Sequence, residues 1–492
     1  MAPEAEKSRD HARLLSPDEI DGLDADGHND ATDDFDSTNE RLRSYEGASA
    51  YAKGRGAGIY NSVMSRLSPK TVRHLLIGVG VALLLIIGAS MMPAGKSQTI
   101  YKWVGADIKD SKDGVHVTKP DGVKISGVIF YGRAQFVDIL DCYLRQNLAV
   151  NGGLLDNVIF MENTDNQADL DYLKKLVADV PQYERREVKR EGDHHGWGGF
   201  DTMWASFTED DTIYLKIDDD IVWIHEDAVP RMIESLLKHP EAHDIAGNII
   251  NSPLTNWLHY HNEAVHPFLP ENAPHPTDGK QSDWRVNDLP AYSGDLPDEY
   301  DFSHREERPP SGFAVGQKGG PPYENHRWLP VVNDSSNTAS AQLMKTPIAK
   351  AAYDAFGLGW TSWAIAAQQH YSLFKNIEDE QLSRYWFGNA EGIWNMQYER
   401  YNLNFLAIWG SSVKMELPGT DDEEALTVTI PKKFHRPCLV DSHALIAHFN
   451  FGTQPEMIHT DLLDRHRAYA NEKVCSADNQ KKRLPKPEKP ML

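Results

Sequence analysis

The sequence predicts an α/β domain built on a mixed, mostly parallel sheet flanked by helices. A long loop-rich insert interrupts it, and a single transmembrane helix precedes it. Three observations predict this layout. Short β-prone runs alternate with helical periodicities over residues 123–251. Residues 252–337 are dense in Pro, Gly, Asp and His and show no period. Residues 75–92 read LLIGVGVALLLIIGASMM, uncharged and without a polar face.

That apolar run has roughly the length a helix needs to cross a bilayer, and a buried core helix would keep one polar stripe. It stands too far from Met1 for an ordinary cleaved signal peptide. Arg66, Lys70 and Arg73 precede it and Lys96 and Lys102 follow, so the positive bias places the N-terminus in the cytoplasm. The expected layout is a single-pass type II membrane protein. Residues 1–73 form a polar cytoplasmic tail too poor in apolar groups to order itself. Residues 74–92 anchor it, 93–121 form a stem, 122–475 fold, and 476–492 form a loose tail.

Within the folded part, residues 124–131 (KISGVIFY) read as the first strand. Gly132-Arg133 ends it. Phe136, Ile139, Leu140 and Leu144 mark a helix over 134–148, since they fall on one face. Residues 155–162 (LDNVIFME) form the second strand, and Leu170, Leu173, Leu176 and Val177 mark a helix over 168–180. A short strand over 184–190 and a short helix over 200–207 lead to a strand over 212–217. Val229, Met232, Ile233, Leu236 and Leu237 mark the next helix, with Glu226 and Asp227 favouring its N-terminal end. Residues 243–251 form a further strand. After the insert, helices are expected over 344–356 and 363–374, an apolar segment over 397–409, and a last strand over 443–452. Such βα alternation gives a parallel sheet whose ligands bind beyond the carboxyl ends of its strands.

The formal net charge of −23 over 492 residues argues against a nucleic-acid partner, which calls for basic patches. The three cysteines allow one disulfide. Cys142 reads as a small core residue within a helix, and Cys438–Cys475 is the expected pair. The single glycosylation sequon is Asn333-Asp334-Ser335.

The chemistry concentrates at Asp218-Asp219-Asp220, where an apolar strand delivers three carboxylates into a turn. Carboxylates so close repel one another and resist burial, so a cation must compensate them. Mn²⁺ or Mg²⁺ takes oxygen ligands and shares them with a substrate phosphate. Arg133 and Asp165, each just past a strand, fall on the same edge as the triplet. Arg133 suits a diphosphate, while the Tyr131-Gly132 backbone suits close approach of a base. Lys216, two residues before Asp218, points to the same face and neutralises the cluster or meets the donor.

The triplet at the end of a strand, the preceding βα units and the membrane layout resemble the DxD motif of GT-A-fold, nucleotide-sugar-dependent glycosyltransferases of the Golgi type. The resemblance covers residues 123–251 and the final strand. It implies a Rossmann-like GT-A fold, Mn²⁺ or Mg²⁺ as cofactor, a nucleoside-diphosphate sugar donor and a glycan, glycoprotein or glycolipid acceptor. Carried over, Asp220 is the direct metal ligand, Asp218 and Asp219 meet metal or ribose, and a C-terminal histidine completes the coordination. His448 fills that place, with His443 in reserve. An inverting enzyme also needs a general base. Asp379 or Glu380, Glu391 and Glu399 are the alternatives. The aromatics of the insert (Trp257, Tyr260, Trp284, Tyr292, Tyr300, Phe302 and Trp328) either stack on acceptor sugars or pin the loop. Three other functions compete with the transferase: a phosphotransferase with the same Asp-x-Asp, a nucleotidyltransferase, and an anchored non-catalytic lectin or scaffold.

Overall fold

A computed structural model describes residues 117, 119–188, 200–275, 283–294, 315–316, 319–332, 342–419 and 421–484. The expected cytoplasmic tail, membrane anchor, most of the stem and the sequon at Asn333 lie outside the described residues. Among the described residues, no helix is long and apolar enough to cross a membrane.

A nine-stranded mixed sheet organises the domain. Its first half is parallel. Strand β1 (Lys124–Tyr131) pairs with β2 (Asn157–Glu162) on one side and β4 (Thr212–Asp218) on the other, and β3 (Tyr183–Arg186) extends the β2 edge. Helices α1 (Ala134–Asn147) and α2 (Gln167–Asp179) are the crossovers between these strands. β1 is buried along almost its whole length, as expected of a parallel strand covered on both faces. The register sets Phe130 opposite Asp218, so the chain leaving β1 at Gly132 runs beside the Asp triplet.

The second half makes the sheet mixed. A short helix, α3 (Phe200–Trp204), precedes β4. After β4 the chain turns through Asp219-Asp220 into β5 (Ile221–Ile224), which pairs with β11 (Cys438–His448) at the far edge and not with β4. The turn therefore bridges two separated parts of the sheet edge. Helix α4 (Ala228–Lys238) follows, then β6 (Asp244–Ile250). β10 (Phe405–Trp409) lies antiparallel between β4 and β6, β11 runs parallel to β6, and β9 (Ile393–Asn395) caps the early part of β11. The result is a mixed sheet flanked by helices, an α/β architecture.

The insert is less open than its composition suggests. After α5 (Asn256–His261), β7 (Phe268–Pro270) pairs antiparallel with β8 (Trp328–Pro330). Trp328 is fully buried against Trp363, with ring centroids 5.9 Å apart. Trp284 is buried as well, donates its indole N–H to Glu472 at 2.9 Å and packs edge-on against Tyr469. These two aromatics pin the insert to the domain. Tyr292 is half-buried, Trp257 is exposed, and Tyr300 and Phe302 lie outside the described residues.

Two expectations are corrected. The helix over 344–356 is replaced by a single turn, Pro347–Lys350, and an exposed loop, because Pro347 and Gly357 interrupt any helical ladder. A second one-turn helix, Leu358–Thr361, then leads into α6 (Trp363–Glu378). The disulfide joins Cys142 to Cys475, and Cys438 is a free, buried thiol. Helix α1 packs on α7 (Leu462–Lys473), which brings Cys475 onto Cys142 across 333 residues of sequence. Cys438 begins β11 inside the sheet, out of reach of either, and burial together with neighbouring Asp244 pushes its thiol well up.

Candidate active site

Three elements converge at the carboxyl edge of β1 and β4. Asp218 ends β4, Asp220 lies in the turn, and His448 ends β11. One ligand atom from each falls within 4.8 Å of the others, and this is the one such group of His, Cys, Asp or Glu among the described residues. The β11–β5 register slips between Ala447 and His448, and bulges of this kind re-aim a side chain at a sheet edge. His448 Nε2 reaches Asp220 Oδ2 at 3.1 Å. The Phe451 ring packs 4.3 Å from the His448 ring.

Each carboxylate of the triplet has a different partner set. Asp218 accepts from Lys216 Nζ and from Asn404 Nδ2 at 2.7 Å. Lys216 is itself buried and donates to the Leu403 carbonyl at 2.8 Å, so it neutralises Asp218. Asp219 is turned toward β1. It accepts from the Gly132 N–H at 2.8 Å and from the Arg133 guanidinium. A side chain at residue 132 would come within 3.3 Å of Asp219 Oδ2, so glycine admits the carboxylate to the backbone. Asp220 shares Arg133 with Asp219 at 2.8 Å and meets His448 on the same oxygen.

Asp220 is 1% exposed, and its Oδ1 is buried with no hydrogen-bond partner, as is His448 Nδ1. Burial alone would raise the Asp220 carboxyl, but the Arg133 guanidinium and His448 together hold it well below the usual carboxylate range. Arg133 stays charged, since the two aspartates outweigh the effect of its burial. A buried, ionised carboxylate with an orphan oxygen, a second carboxylate and an imidazole nitrogen form a donor set that fits a divalent cation of the Mn²⁺ type.

The remaining expected residues divide. Tyr131 points inward, fully buried, and donates its hydroxyl to the Asp169 carbonyl at 2.6 Å, which leaves only its backbone at the edge. Asp165 is exposed on the loop after β2, on the same rim. Asp379 sits at the C-terminal end of α6, tied to Lys375 and to Asn287 at 3.0 Å. Glu380 follows it, exposed. Glu391 is exposed in the turn before β9, which pairs with residues 439–441 of β11, at the other end of that strand from His448. His443 packs on Trp386 at 4.4 Å and takes no part in the cluster. Glu399 is exposed and acts electrostatically on Tyr353. None of these carboxylates joins the Asp–His group.

The structure brings other residues to the site. Asp422 opens a helical segment after β10, and its Oδ2 accepts the Trp204 indole N–H at 2.9 Å. Trp204 in turn packs on Phe130 at the end of β1. Burial raises the Asp422 carboxyl, Lys216 and the indole bond oppose that rise, and Asp218 adds to it. Next to it, Glu423 accepts from Arg400 Nε at 2.7 Å and Asn402 Nδ2 at 3.0 Å. The acidic run 421–424 before an apolar helix was the sequence signal for this element. Asn404 carried no signal.

No family model matches the chain, and no curated protein matches it. Solved structures with partial likeness include a 4-diphosphocytidyl-2C-methyl-D-erythritol synthase, 14% identical over 25% of this chain and 59% of that one, with a TM-score of 0.20. Another is glucosyl-3-phosphoglycerate synthase from Mycobacterium tuberculosis in complex with Mn²⁺, UDP and glucosyl-3-phosphoglycerate. It is 16% identical over 26% of this chain and 44% of that one, with a TM-score of 0.20. The same enzyme with phosphoglyceric acid aligns over 30% of this chain and 51% of that one, with 16% identity and a TM-score of 0.22. In each case the chain spans less than two thirds of its neighbour, so the likeness is of a part.

Proposed function

We propose that this protein is a metal-dependent glycosyltransferase that moves a sugar from a nucleoside-diphosphate sugar to a glycan, glycoprotein or glycolipid. The observation that carries the reading is the convergence of Asp218, Asp220 and His448 at the carboxyl edge of the sheet, with one Asp220 oxygen buried and unpartnered. Asp218, Asp220 and His448 would hold the ion. A divalent ion bound there supplies Lewis-acid neutralisation of a leaving diphosphate. Arg133, anchored by Asp219 and Asp220, presents a permanent positive charge to the same diphosphate. The Gly132 N–H holds Asp219 in place beneath that guanidinium. Asp422 would take the proton of the acceptor hydroxyl, a role supported by its raised carboxyl and its electrostatic coupling to Asp218.

The proposal includes a Golgi or ER membrane location, single-pass type II, with this domain luminal. The apolar run at 75–92 supports it, and so does the Cys142–Cys475 disulfide, since disulfides persist in oxidising compartments. The test is calorimetric binding of UDP and GDP with and without Mn²⁺, in wild type and Asp220→Asn. Metal-dependent binding of one nucleotide, lost in the variant, is expected. Failure of both nucleotides in Mn²⁺ and in Mg²⁺ overturns the reading.

A further inference from the structure

The loop between the Pro347–Lys350 turn and α6 carries exposed aromatics. Phe356 is 62% exposed and Tyr353 51%. Half-buried Trp360 meets Phe356 edge-on, with centroids 5.7 Å apart. The loop is not free to wander. Gln454 Nε2 donates to the Gly359 carbonyl at 3.0 Å, and Thr453 Oγ1 donates to the Trp360 carbonyl. At Gly359 a side chain would lie 2.6 Å from Asn256 Nδ2 and 2.9 Å from Pro253 Cα, so only glycine seats the loop this closely.

Further contacts link the loop to both sides of the Asp–His group. Gln454 receives Asn251 Nδ2 at 3.0 Å, and the same amide holds the His448 carbonyl. On the other side the Arg400 guanidinium lies over the Phe356 ring at 5.2 Å and pairs with Glu423 and Asp421. Glu423 is bonded to Asn402, and Asn404, two residues on, is bonded to Asp218. The ring of contacts thus runs from His448 through Trp360, Phe356 and Arg400 back to Asp218.

Resting on the transferase reading, we infer that Phe356, Trp360 and Tyr353 form an acceptor platform linked to the Asp–His group, and that the acceptor unit seated there is an uncharged pyranose. The apolar face of such a ring covers an aromatic side chain, while its hydroxyls reach Arg400 and the acidic run at 421–424. That run carries four carboxylates against two cations, Arg400 and Lys216, so an anionic sugar is disfavoured.

The test uses full-length protein in detergent with diamagnetic Mg²⁺ and UDP or GDP. Saturation-transfer NMR is recorded with methyl glycosides of glucose, galactose, mannose and N-acetylglucosamine. Mg²⁺–nucleotide binding is measured on the same samples. At least one glycoside receives magnetisation, and Phe356→Ala weakens its binding about tenfold, the cost of uncovering one apolar face. Nucleotide binding is unchanged in that variant, and Trp394→Ala, an exposed tryptophan on β9, changes neither. Nucleotide binding with no glycoside signal, or with a signal indifferent to Phe356, overturns the platform and leaves the transferase standing. A glycoside signal sensitive to Phe356 without nucleotide binding keeps the platform and overturns the transferase. Loss of binding to phosphatidylcholine vesicles in Phe356→Ala, with glycoside binding intact, assigns the loop to a membrane surface and also overturns the platform.

Discussion

Arg133 Nη2 stands 2.8 Å from Asp220 Oδ2, on the carboxylate that carries an orphan oxygen. The guanidinium is the main counter-charge of two buried aspartates. Arg133→Met leaves Asp219 and Asp220 under-compensated and lowers stability by about 3 kcal/mol in metal-free buffer. Saturating Mn²⁺ restores part of that loss by charging the same site. Urea unfolding with and without Mn²⁺ measures both quantities. An equal loss in both buffers means that the carboxylates hold no ion.

Asp422→Asn keeps the Trp204 contact and removes the basic oxygen. Turnover falls by at least about 100-fold, with Mn²⁺–nucleotide binding unchanged. Asp379→Asn and Glu391→Gln stay near wild type, because Asp379 is tied to Lys375 and Asn287 and Glu391 precedes β9, at the other end of β11 from His448. Steady-state kinetics on the three variants decides among them, and NMR of the product's anomeric proton shows inversion if Asp422 acts as the base.

The interior histidines set the acid limit of the fold. Burial pushes His259 down to about 3 and His326 down to about 4, from an ordinary value of 6.5. His259 Nε2 bonds Asn248 Oδ1 at 2.8 Å, and neither ring is near the metal ligands. Their folded values are depressed, so below pH 6.5 the unfolded chain binds protons that the folded chain refuses. Stability is full above about pH 6.5 and falls as pH drops toward 4, by about 1.4 kcal/mol per unit for each histidine. Urea midpoints measured from pH 7.5 to 4.5 trace this slope. A flat profile over that window contradicts the buried neutral state.

The Cys142–Cys475 bond closes almost the whole domain into one loop. Replacing both cysteines by serine costs about 3–5 kcal/mol. Mass spectrometry of protein alkylated without reduction, from the native host compartment, recovers the two peptides cross-linked. Cys438 reacts only after unfolding. Recovery of free Cys142 and Cys475 removes the support that the disulfide gives to a secretory location.

The sequence by itself determined the strand–helix alternation of 124–250, since period-2 and period-3.6 patterns are local and set by burial of one face. It also determined that the Asp triplet sits at a strand end, because the apolar run before it is contiguous with the carboxylates. The same local reasoning failed for 344–356, where apolar residues suggested a helix but Pro347 and Gly357 break it. Only the tertiary structure decided which partners the local groups found. His448 reached Asp220 through a bulge and a β11–β5 pairing that joins residues 227 positions apart, Asp219 turned to Arg133, and Cys475 took Cys142 because α7 lies on α1. Such pairings depend on strand order and register, which follow from how the whole core packs and leave no mark on the residues they join.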